Sequence, residues 1–577
     1  MDNTPLWQAQ AAIAVLRNEA PDVVHLVEPI VLRLFQALAD GDSCIRLAKH
    51  EQARLREAAP IVGSSHNAST PLIQFGDQIT LGRVWQLEAE IASHLQRLSR
   101  PVNPEQDLSG LLQALFPEAG SHEQQQAAAV AAVNQLAIIT GGPGTGKTTT
   151  VAKLLCLLSY GAIKPPRIAL AAPTGKAAAR MTESLRFSLQ KLLRQSDVNI
   201  EPNIAATLLA LEGKTLHRLL GMMPPKMLPR YQNGQELPYD MVIVDETSML
   251  DSSMLRHLLA AIGNNTRLIL LGDADQLPPV GMGDLLSLLP KNNVLQAEQA
   301  QLLQQWLPQV AWQQAEHPPA LSAQTARLSI SHRFGADSGI GQLAAAVLHQ
   351  QTDSFGALFE QHADITLRQR PESARDLAWR LWLEQQEAYW PAVARGQPLA
   401  VFQAWLQRML LTVRRRDAEQ VNAALRDILR GQGLLSGAQG SWYHGQAIMV
   451  VRNDVDMGLF NGDVGVVLKD ERGRLQAYFP THDGMRAVPL SRLPAHDDAF
   501  AMTVHKSQGS EFAEVWLLPP LGALEQAEDY HRALLYTAIT RAKQQFVYWG
   551  DSNSLQDASQ RFVQRQTVLG YLLQHGH

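Results

Sequence analysis

The chain has 577 residues, 46% hydrophobic and 18% charged, with a formal net charge of −5; at roughly 150 residues per domain that is enough for three or four domains. Glycine and proline are dispersed, no fixed-period repeat stands out, and no apolar run approaches the roughly 20 residues of a membrane span, which argues against low-complexity and membrane-spanning classes. The slightly acidic balance gives no global signal for nucleic-acid binding, so any such surface must be local. Cys44 and Cys156 are too few for a four-cysteine zinc or iron–sulfur site, and the opening "MDNTPLWQAQ" lacks a basic region followed by an apolar stretch. A reducing cytoplasm is the expected location, with no metal beyond one that accompanies a nucleotide.

Residues 1–107 read as an N-terminal helical domain for partner docking. Val31, Leu32, Leu34, Phe35 and Leu38 suit an amphipathic helix, no nucleotide or metal motif is present, and the polar "RPVNPEQD" closes the segment as a linker. Next, "LAII" (136–139) predicts a short buried strand, "TGGPGTGKT" a tight turn, and Thr148 onward a helix with Val151, Leu154, Leu155 and Leu158 at helical spacing. Gly141, Gly142, Pro143, Gly144, Thr145, Gly146, Lys147, Thr148 and Thr149 thus form a phosphate-binding loop in strand–loop–helix context. Its glycines let backbone N–H groups approach ATP phosphates, the helix N-terminus adds positive potential, Lys147 neutralises the β/γ-phosphates, and the Thr148 hydroxyl is offered to Mg²⁺.

"RIALAAPTGKAAARM" (167–181) and "TRLILLGDADQLPPV" (266–280) each end a strand in polar, turn-forming residues. Between them, Asn233-Gly234 signals a small hairpin within 222–240, and the apolar strand Met241–Val244 runs directly into Asp245 and Glu246. Two adjacent acids at the end of a buried strand need compensation, which Mg²⁺ and an attacking water provide. Asp245 is then the metal carboxylate, and Glu246 the group that orients or deprotonates water. The basic run Arg414–Arg416 has two readings, a contact with nucleic-acid phosphates or, as is usual for a charge run, a solvated face. In 441–495, runs such as "AIMVV", "VGVVL" and "LQAYF" alternate with Asn-Gly, Arg-Gly and Asp-Gly turns, the pattern of a small antiparallel barrel.

Several of these strings resemble successive motifs of superfamily 1 helicases: "AAPTGKAAAR", "KTLHRLLG", "VIVDETSM" and "GDADQLPPV", then "ISHRFGADSGIGQLA", "TVHKSQGSEF" and "ALLYTAITRAK". "VHKSQGSEF" is diagnostic of the branch whose members move 5′ to 3′. The resemblance implies an α/β fold with two RecA-like parallel-sheet motor domains, 108–330 and 331–440 with 496–577, interrupted by the barrel insert that closes over single-stranded DNA. It also implies that Gln276 senses the γ-phosphate and that Gln124, with Ala127, reads adenine. Glu123 stands where related sequences often carry an aromatic residue. Arg333 and Arg541 are the candidates to reach the phosphate from the second domain in the manner of arginine fingers. DNA contacts are expected at Pro173, Thr174 and Lys176, at Thr215 and His217, and at Thr503, His505 and Lys506; Asn461 joins them, its alternative being a turn-fixing role.

The chain resembles the RecD family, the α subunits of the RecBCD exodeoxyribonuclease V complex, most strongly over about residues 120–345 and 440–545 and more weakly at the N-terminus and in 346–435. That likeness implies an ATP-driven 5′-to-3′ translocase processing double-strand-break ends for recombinational repair, in a heterotrimer with RecC-like and RecB-like subunits and with the nuclease site on another subunit. Two other readings of the same motifs stay open: a free-standing helicase of this branch, and a DNA-stimulated ATPase switch that does not unwind.

Overall fold

The computed structural model describes residues 4–65, 69–104, 106–118, 120–195, 200–223, 226–232, 234–335, 337–435, 442–454, 457–481, 484–521 and 529–575. The first lobe is built on six parallel strands: β1 (Leu136–Gly141), β2 (Ile168–Ala172), β3 (Gly213–Thr215), β4 (Met241–Val244), β5 (Arg267–Gly272) and β6 (Thr325–Leu328), in the order β6-β1-β5-β4-β2-β3. Strands buried on both faces must be apolar, and the inner ones carry apolar runs, as in IALAA of β2 and MVIV of β4, whereas the edge strands β3 (GKT) and β6 (TARL) admit polar residues. Along β1, Ala137 and Ile139 enter the core on one face while Leu136 and Ile138 enter the core on the other. Helix α1 (Lys147–Ser159) packs on the first face, and α2 (Gly175–Gln195) follows β2. Because all six strands run the same way, the loops that follow β1, β2, β4, β5 and β6 open at one edge of the sheet.

The second lobe repeats the plan with five parallel strands: β7 (Ile365–Arg368), β8 (Arg408–Thr412), β9 (Ala501–Thr503), β10 (Phe512–Leu518) and β11 (Ala542–Trp549), ordered β7-β11-β10-β8-β9. Helix α3 (Arg532–Ile539) precedes β11. Between β8 and β9 lies a five-stranded antiparallel sheet, Gln446–Val450, Val464–Lys469, Leu475–Thr481, Gly484–Pro489 and His496–Asp498, over a core of Ile448, Val450, Val467, Phe479 and Val488. Its last strand runs to Asp498, past the expected end of the insert at 495. The edge strands Gly484–Pro489 and His496–Asp498 are not paired with each other among the described residues, so strand pairing does not close the sheet into a barrel there.

Three features depart from expectation. The N-terminal helices are joined by a four-stranded sheet, Ile45–Arg46, Val62–Ser64, Leu72–Phe75 and Gln78–Leu81, whose strands of two to four residues leave too weak a periodicity to read. The hairpin expected within 222–240 is a single bridge, Gln232 to Gln235, among the described residues; Asn233 lies outside them. Finally, the chain does not end in the second lobe. After Gln560 it crosses back, and α4 (Val568–His575) packs beside helix Gly82–Leu98 on the first lobe's second core, with Trp85, Ile91, Val568 and Leu569 all buried there. Helix Gly82–Leu98, though on the N-terminal side of residue 107, therefore covers the first lobe's sheet.

One carboxylate ties this return together. Glu88 is fully buried and accepts from Ser43 Oγ at 2.8 Å, Ser252 Oγ at 2.7 Å and the Leu569 backbone N–H at 2.8 Å. Upstream, Arg565 donates to the carbonyls of Pro279, Gly281 and Gly283 at 2.6, 2.7 and 2.8 Å. The N-terminal region, first lobe and C-terminal return are thus fixed by a few buried polar contacts. Among the described residues no helix is long and apolar enough to cross a membrane.

Replacing Glu88 by Ala strands three buried donors, and is expected to lower the first lobe's unfolding free energy by about 2–4 kcal/mol, read from the shift in denaturant midpoint. Burial raises the Glu88 carboxyl above its ordinary value of 4.5. The folded state therefore favours the protonated form, and wild-type stability falls relative to Glu88→Gln as pH rises above about 4.5, until the buried group itself ionises. A gap between the two proteins that is constant from pH 4 to 8 contradicts this.

Candidate active site

The turn after β1 is shaped by glycine where no other residue fits. Gly144 and Gly146 adopt left-handed conformations, φ +79° and +85°. A Cβ on Gly146 would lie 2.3 Å from Gln124 Nε2, one on Gly144 2.3 Å from Arg333 Cβ, and one on Gly142 2.6 Å from Tyr536 Oη. Gln124 is buried and donates through Nε2 to the Thr145 carbonyl at 3.1 Å. Lys147 Nζ donates to the carbonyls of Gly141 and Gly142 at 2.5 and 3.1 Å, so its charge sits inside the loop at the N-terminus of α1. Thr148 is half-buried and Thr149 exposed. The Glu123 carboxylate, in place of an aromatic ring, accepts from the backbone N–H groups of Ser329 and Ile330 at 2.6 and 3.1 Å and pins the chain leaving β6.

Asp245 and Glu246 follow β4, and Asp273 follows β5, on the same edge as the loop. Burial and the Glu246 charge push the Asp245 carboxyl well above the usual carboxylate range, against the pull of Lys147. Burial likewise raises Asp273 to about 6, again opposed by Lys147. Glu246 has φ +54°, uncommon for a non-glycine residue, at the turn into a single 3-10 turn, Thr247–Met249. Gln276 Nε2 donates to Asp273 Oδ2 at 3.0 Å, and its Oε1 is buried without a partner. The second lobe meets this cluster directly. Tyr536 Oη donates to Asp273 Oδ2 at 3.3 Å, and the Leu277 N–H donates to Thr537 Oγ1 at 3.1 Å.

One cavity of about 820 Å³ gathers Lys147, Asp245, Glu246, Gln276, Arg333 and Arg541 along its wall. Arg541 comes from the second lobe, between α3 and β11; it is 3% exposed and donates through Nη1 to the Ser510 carbonyl at 3.2 Å. Arg333, expected from the second domain, rides on the connector that leads from β6 into that lobe, between His332, whose N–H donates to the Gly144 carbonyl at 2.8 Å, and Phe334, buried in the second lobe's core. Its guanidinium reaches the second lobe at Glu511, Nη2 to Oε1 2.6 Å, while Nη1 is buried without a partner.

The expected strand-contact residues fall on both lobes. Thr174 Oγ1 accepts from the Ala177 N–H at 3.2 Å beside the start of α2, following Pro173. Thr215 Oγ1 accepts from the Arg218 N–H at 3.3 Å, and His217 is half-buried in the short helix that follows. Lys176, lowered to about 8 by burial and by Arg180, donates to Ser510 Oγ at 2.6 Å across the lobes. Lys506 pairs with Asp497 of the insert at 2.7 Å, Thr503 Oγ1 accepts from the Lys506 N–H at 3.3 Å, and His505 is exposed. Asn461 is exposed at a turn held by Asn453, whose Oδ1 accepts the Asn461 N–H at 2.7 Å. The neighbouring Phe460 ring lies on Gly175, 3.1 Å from where its Cβ would be, so the insert touches the first lobe at the expected strand contact. In the basic run, Arg414 pairs with Asp529 at 2.8 Å and Arg415 with Glu419 at 2.8 Å, at the start of helix Arg415–Gly431.

Sequence reasoning passed over Arg180, Asp273, Phe187, Glu511 and Tyr536, all of which line the cavity or meet the phosphate loop. Arg180, Asp273, Glu511 and Tyr536 lie within the motif strings themselves, so adjacency to a motif was the available signal; Phe187, 69% exposed on α2, had none.

Comparison with known proteins agrees with this arrangement. Residues 124–282 match an AAA domain family, and residues 498–547 match the UvrD-like helicase C-terminal domain. The RecBCD enzyme subunit RecD of Mycolicibacterium smegmatis is 34% identical over 96% of this chain and 95% of its own length. That of Haemophilus influenzae is 32% identical over 87% and 81%. The ATP-dependent RecD2 DNA helicase of Deinococcus radiodurans is 30% identical over 84% of this chain but 57% of its own length. With a likeness that runs nearly end to end in both sequences, the chain belongs to the RecD family of helicase subunits.

Proposed function

We propose that this chain is the 5′-to-3′ motor of a RecBCD-type enzyme: an ATP-dependent DNA helicase that works on double-strand-break ends beside RecB-like and RecC-like subunits. The observation that carries the reading is the shared cavity, in which Lys147, Asp245 and Glu246 of the first lobe face Arg541 of the second. Near-complete mutual coverage with RecD subunits, against 57% of the longer RecD2 helicase, favours the subunit over the free-standing form. The two buried, free cysteines fit a reducing, cytoplasmic site of action.

The chemistry follows from where the charges stand. The left-handed glycines and the α1 N-terminus offer N–H groups to a triphosphate, and Lys147 exchanges its loop carbonyls for β- and γ-oxygens. Thr148 and Asp245 would hold Mg²⁺, which supplies charge neutralisation on the phosphates. The donor set fits: a hydroxyl beside the loop and a carboxylate whose pKa burial and Glu246 have raised, and which a cation would return to the ionised state. Glu246 orients water for in-line attack, Gln276 has a free buried Oε1 to offer it, and Arg541 stabilises charge that develops on the γ-phosphoryl group. Thr174, Lys176, Thr215 and His217 on one lobe and Thr503, His505 and Lys506 on the other grip the strand. Nucleotide-driven changes in lobe spacing make these two grips alternate.

Lys147→Gln is expected to reduce DNA-stimulated ATP turnover by at least about 100-fold with an unchanged circular dichroism spectrum; wild-type turnover would refute the assigned site. Arg541→Ala should lower kcat by roughly 10²–10³-fold and nucleotide affinity by less than about threefold, because its contribution arises mainly in the transition state. Equal losses in both would make it a binding group. Strand displacement should require a 5′-tailed duplex; unwinding from 3′ tails alone reverses the assigned polarity.

A further inference from the structure

Glu511 is a meeting point of charge that the mechanism above does not use. Its side chain is 8% exposed, and its carboxylate pairs with Arg180 of the first lobe's α2, with Arg333 on the connector at 2.6 Å, and with Lys543 at 3.4 Å. Burial by itself pushes the Glu511 carboxyl up, but Arg180 and Arg333 outweigh it and hold the group at about 2, so it is an anion at any working pH. Two of its three cations come from outside the second lobe. Arg333 is fixed to the phosphate loop by the His332 N–H, and Arg180 also donates to the Gly509 carbonyl at 3.5 Å. Toward Arg333, Glu511 is thus an anion within the same cavity, bonded through Nη2 while Nη1 has no partner.

On the reading that this cavity holds ATP, we propose that Glu511 is a positioning residue, an internal counter-anion that competes with the nucleotide for Arg333. Binding of the triphosphate draws Arg333 from the carboxylate to the phosphate, and Glu511 keeps Arg180, which preserves an ion pair between the lobes while the cleft is occupied. The neighbouring Ser510 accepts from Lys176 through its hydroxyl and from Arg541 through its carbonyl, so a movement of residues 510–511 is felt by both a strand-contact candidate and the second-lobe arginine. No bond is made or broken in this exchange; one charge-assisted hydrogen bond replaces another.

The test is a double-mutant cycle in the full-length chain, read by the Kd of a fluorescent ATP analogue and by DNA-stimulated turnover. Glu511→Gln frees Arg333 and should tighten analogue binding about five- to tenfold while lowering kcat about tenfold, because Arg333 and Arg180 are no longer held. A residue of merely structural importance would not improve binding. In an Arg333→Gln background, Glu511→Gln should leave Kd within about twofold; tightening that persists there would show a general field effect and overturn the exchange. Should Glu511→Gln fold poorly, Arg180→Gln decides: with one competitor removed, Glu511 holds Arg333 more firmly and Kd should rise about threefold, whereas an unchanged or lower Kd overturns the proposal. Lys147→Gln in parallel keeps the two claims apart. If it leaves analogue binding and turnover intact, the ATP site itself is misassigned; if it abolishes turnover while Glu511→Gln leaves Kd unchanged, only the counter-anion role fails.

Discussion

Charge balance in the cleft between the two parallel sheets is the constraint on which the rest depends. Three carboxylates, Asp245, Glu246 and Asp273, stand at the ends of buried strands on the first lobe, and a low-dielectric setting makes such a group costly without compensation. Lys147 offsets part of that cost from within the phosphate loop. Arg541 lies buried on the other side of the same cavity, where Glu246 and Glu511 favour its charge against burial. Neither lobe is electrostatically complete alone, so any anion or cation that enters the cavity changes how strongly the lobes attract each other. That coupling is what a motor requires.

The glycine loop and the strands behind it were legible because their physics is local. A Gly-rich turn with Lys147 and Thr148 directly after an apolar strand fixes its own geometry, and Asp245-Glu246 after Met241–Val244 does the same, so spacing along the chain was enough. Gln124 and Gln276 were found through motif likeness, and the structure gives each a physical reason: a buried amide against the Thr145 carbonyl, and an amide held on Asp273. What escaped was long-range. Ser43, Glu88 and Leu569 are hundreds of positions apart from end to end, and no periodicity in a single sequence links a C-terminal helix to an N-terminal glutamate. Arg333 shows the same dependence on long-range contacts, because it sits on the connector between His332, bonded to the loop at Gly144, and Phe334, which is buried in the second lobe's core.

The insert and the C-terminal return give the two lobes more connections than a simple hinge would have. Phe460 rests on Gly175 and Lys506 pairs with Asp497, which joins the insert to the expected strand contacts of both lobes. The chain also passes between lobes twice, once after β6 and once after Gln560, and Arg565 anchors the second crossing to carbonyls of the loop that carries Gln276. Relative motion of the lobes must therefore bend residues 561–564, where Phe562 and Val563 are exposed, or break the Arg565 contacts. A range limited by two tethers suits small repeated displacements better than wide opening.

The most direct test of the account is the distance between the lobes as the cleft fills. Spin labels on cysteines introduced at Ile163 of the first lobe and Leu399 of the second, both well exposed, report that distance by pulsed electron paramagnetic resonance, with Cys44 and Cys156 buried and inert. A non-hydrolysable ATP analogue together with single-stranded DNA should shift the distribution by several ångströms and narrow it, and the shift should vanish in Lys147→Gln. An identical distribution with the analogue demonstrably bound would contradict the claim that two lobes share one triphosphate and convert its cleavage into movement along a strand.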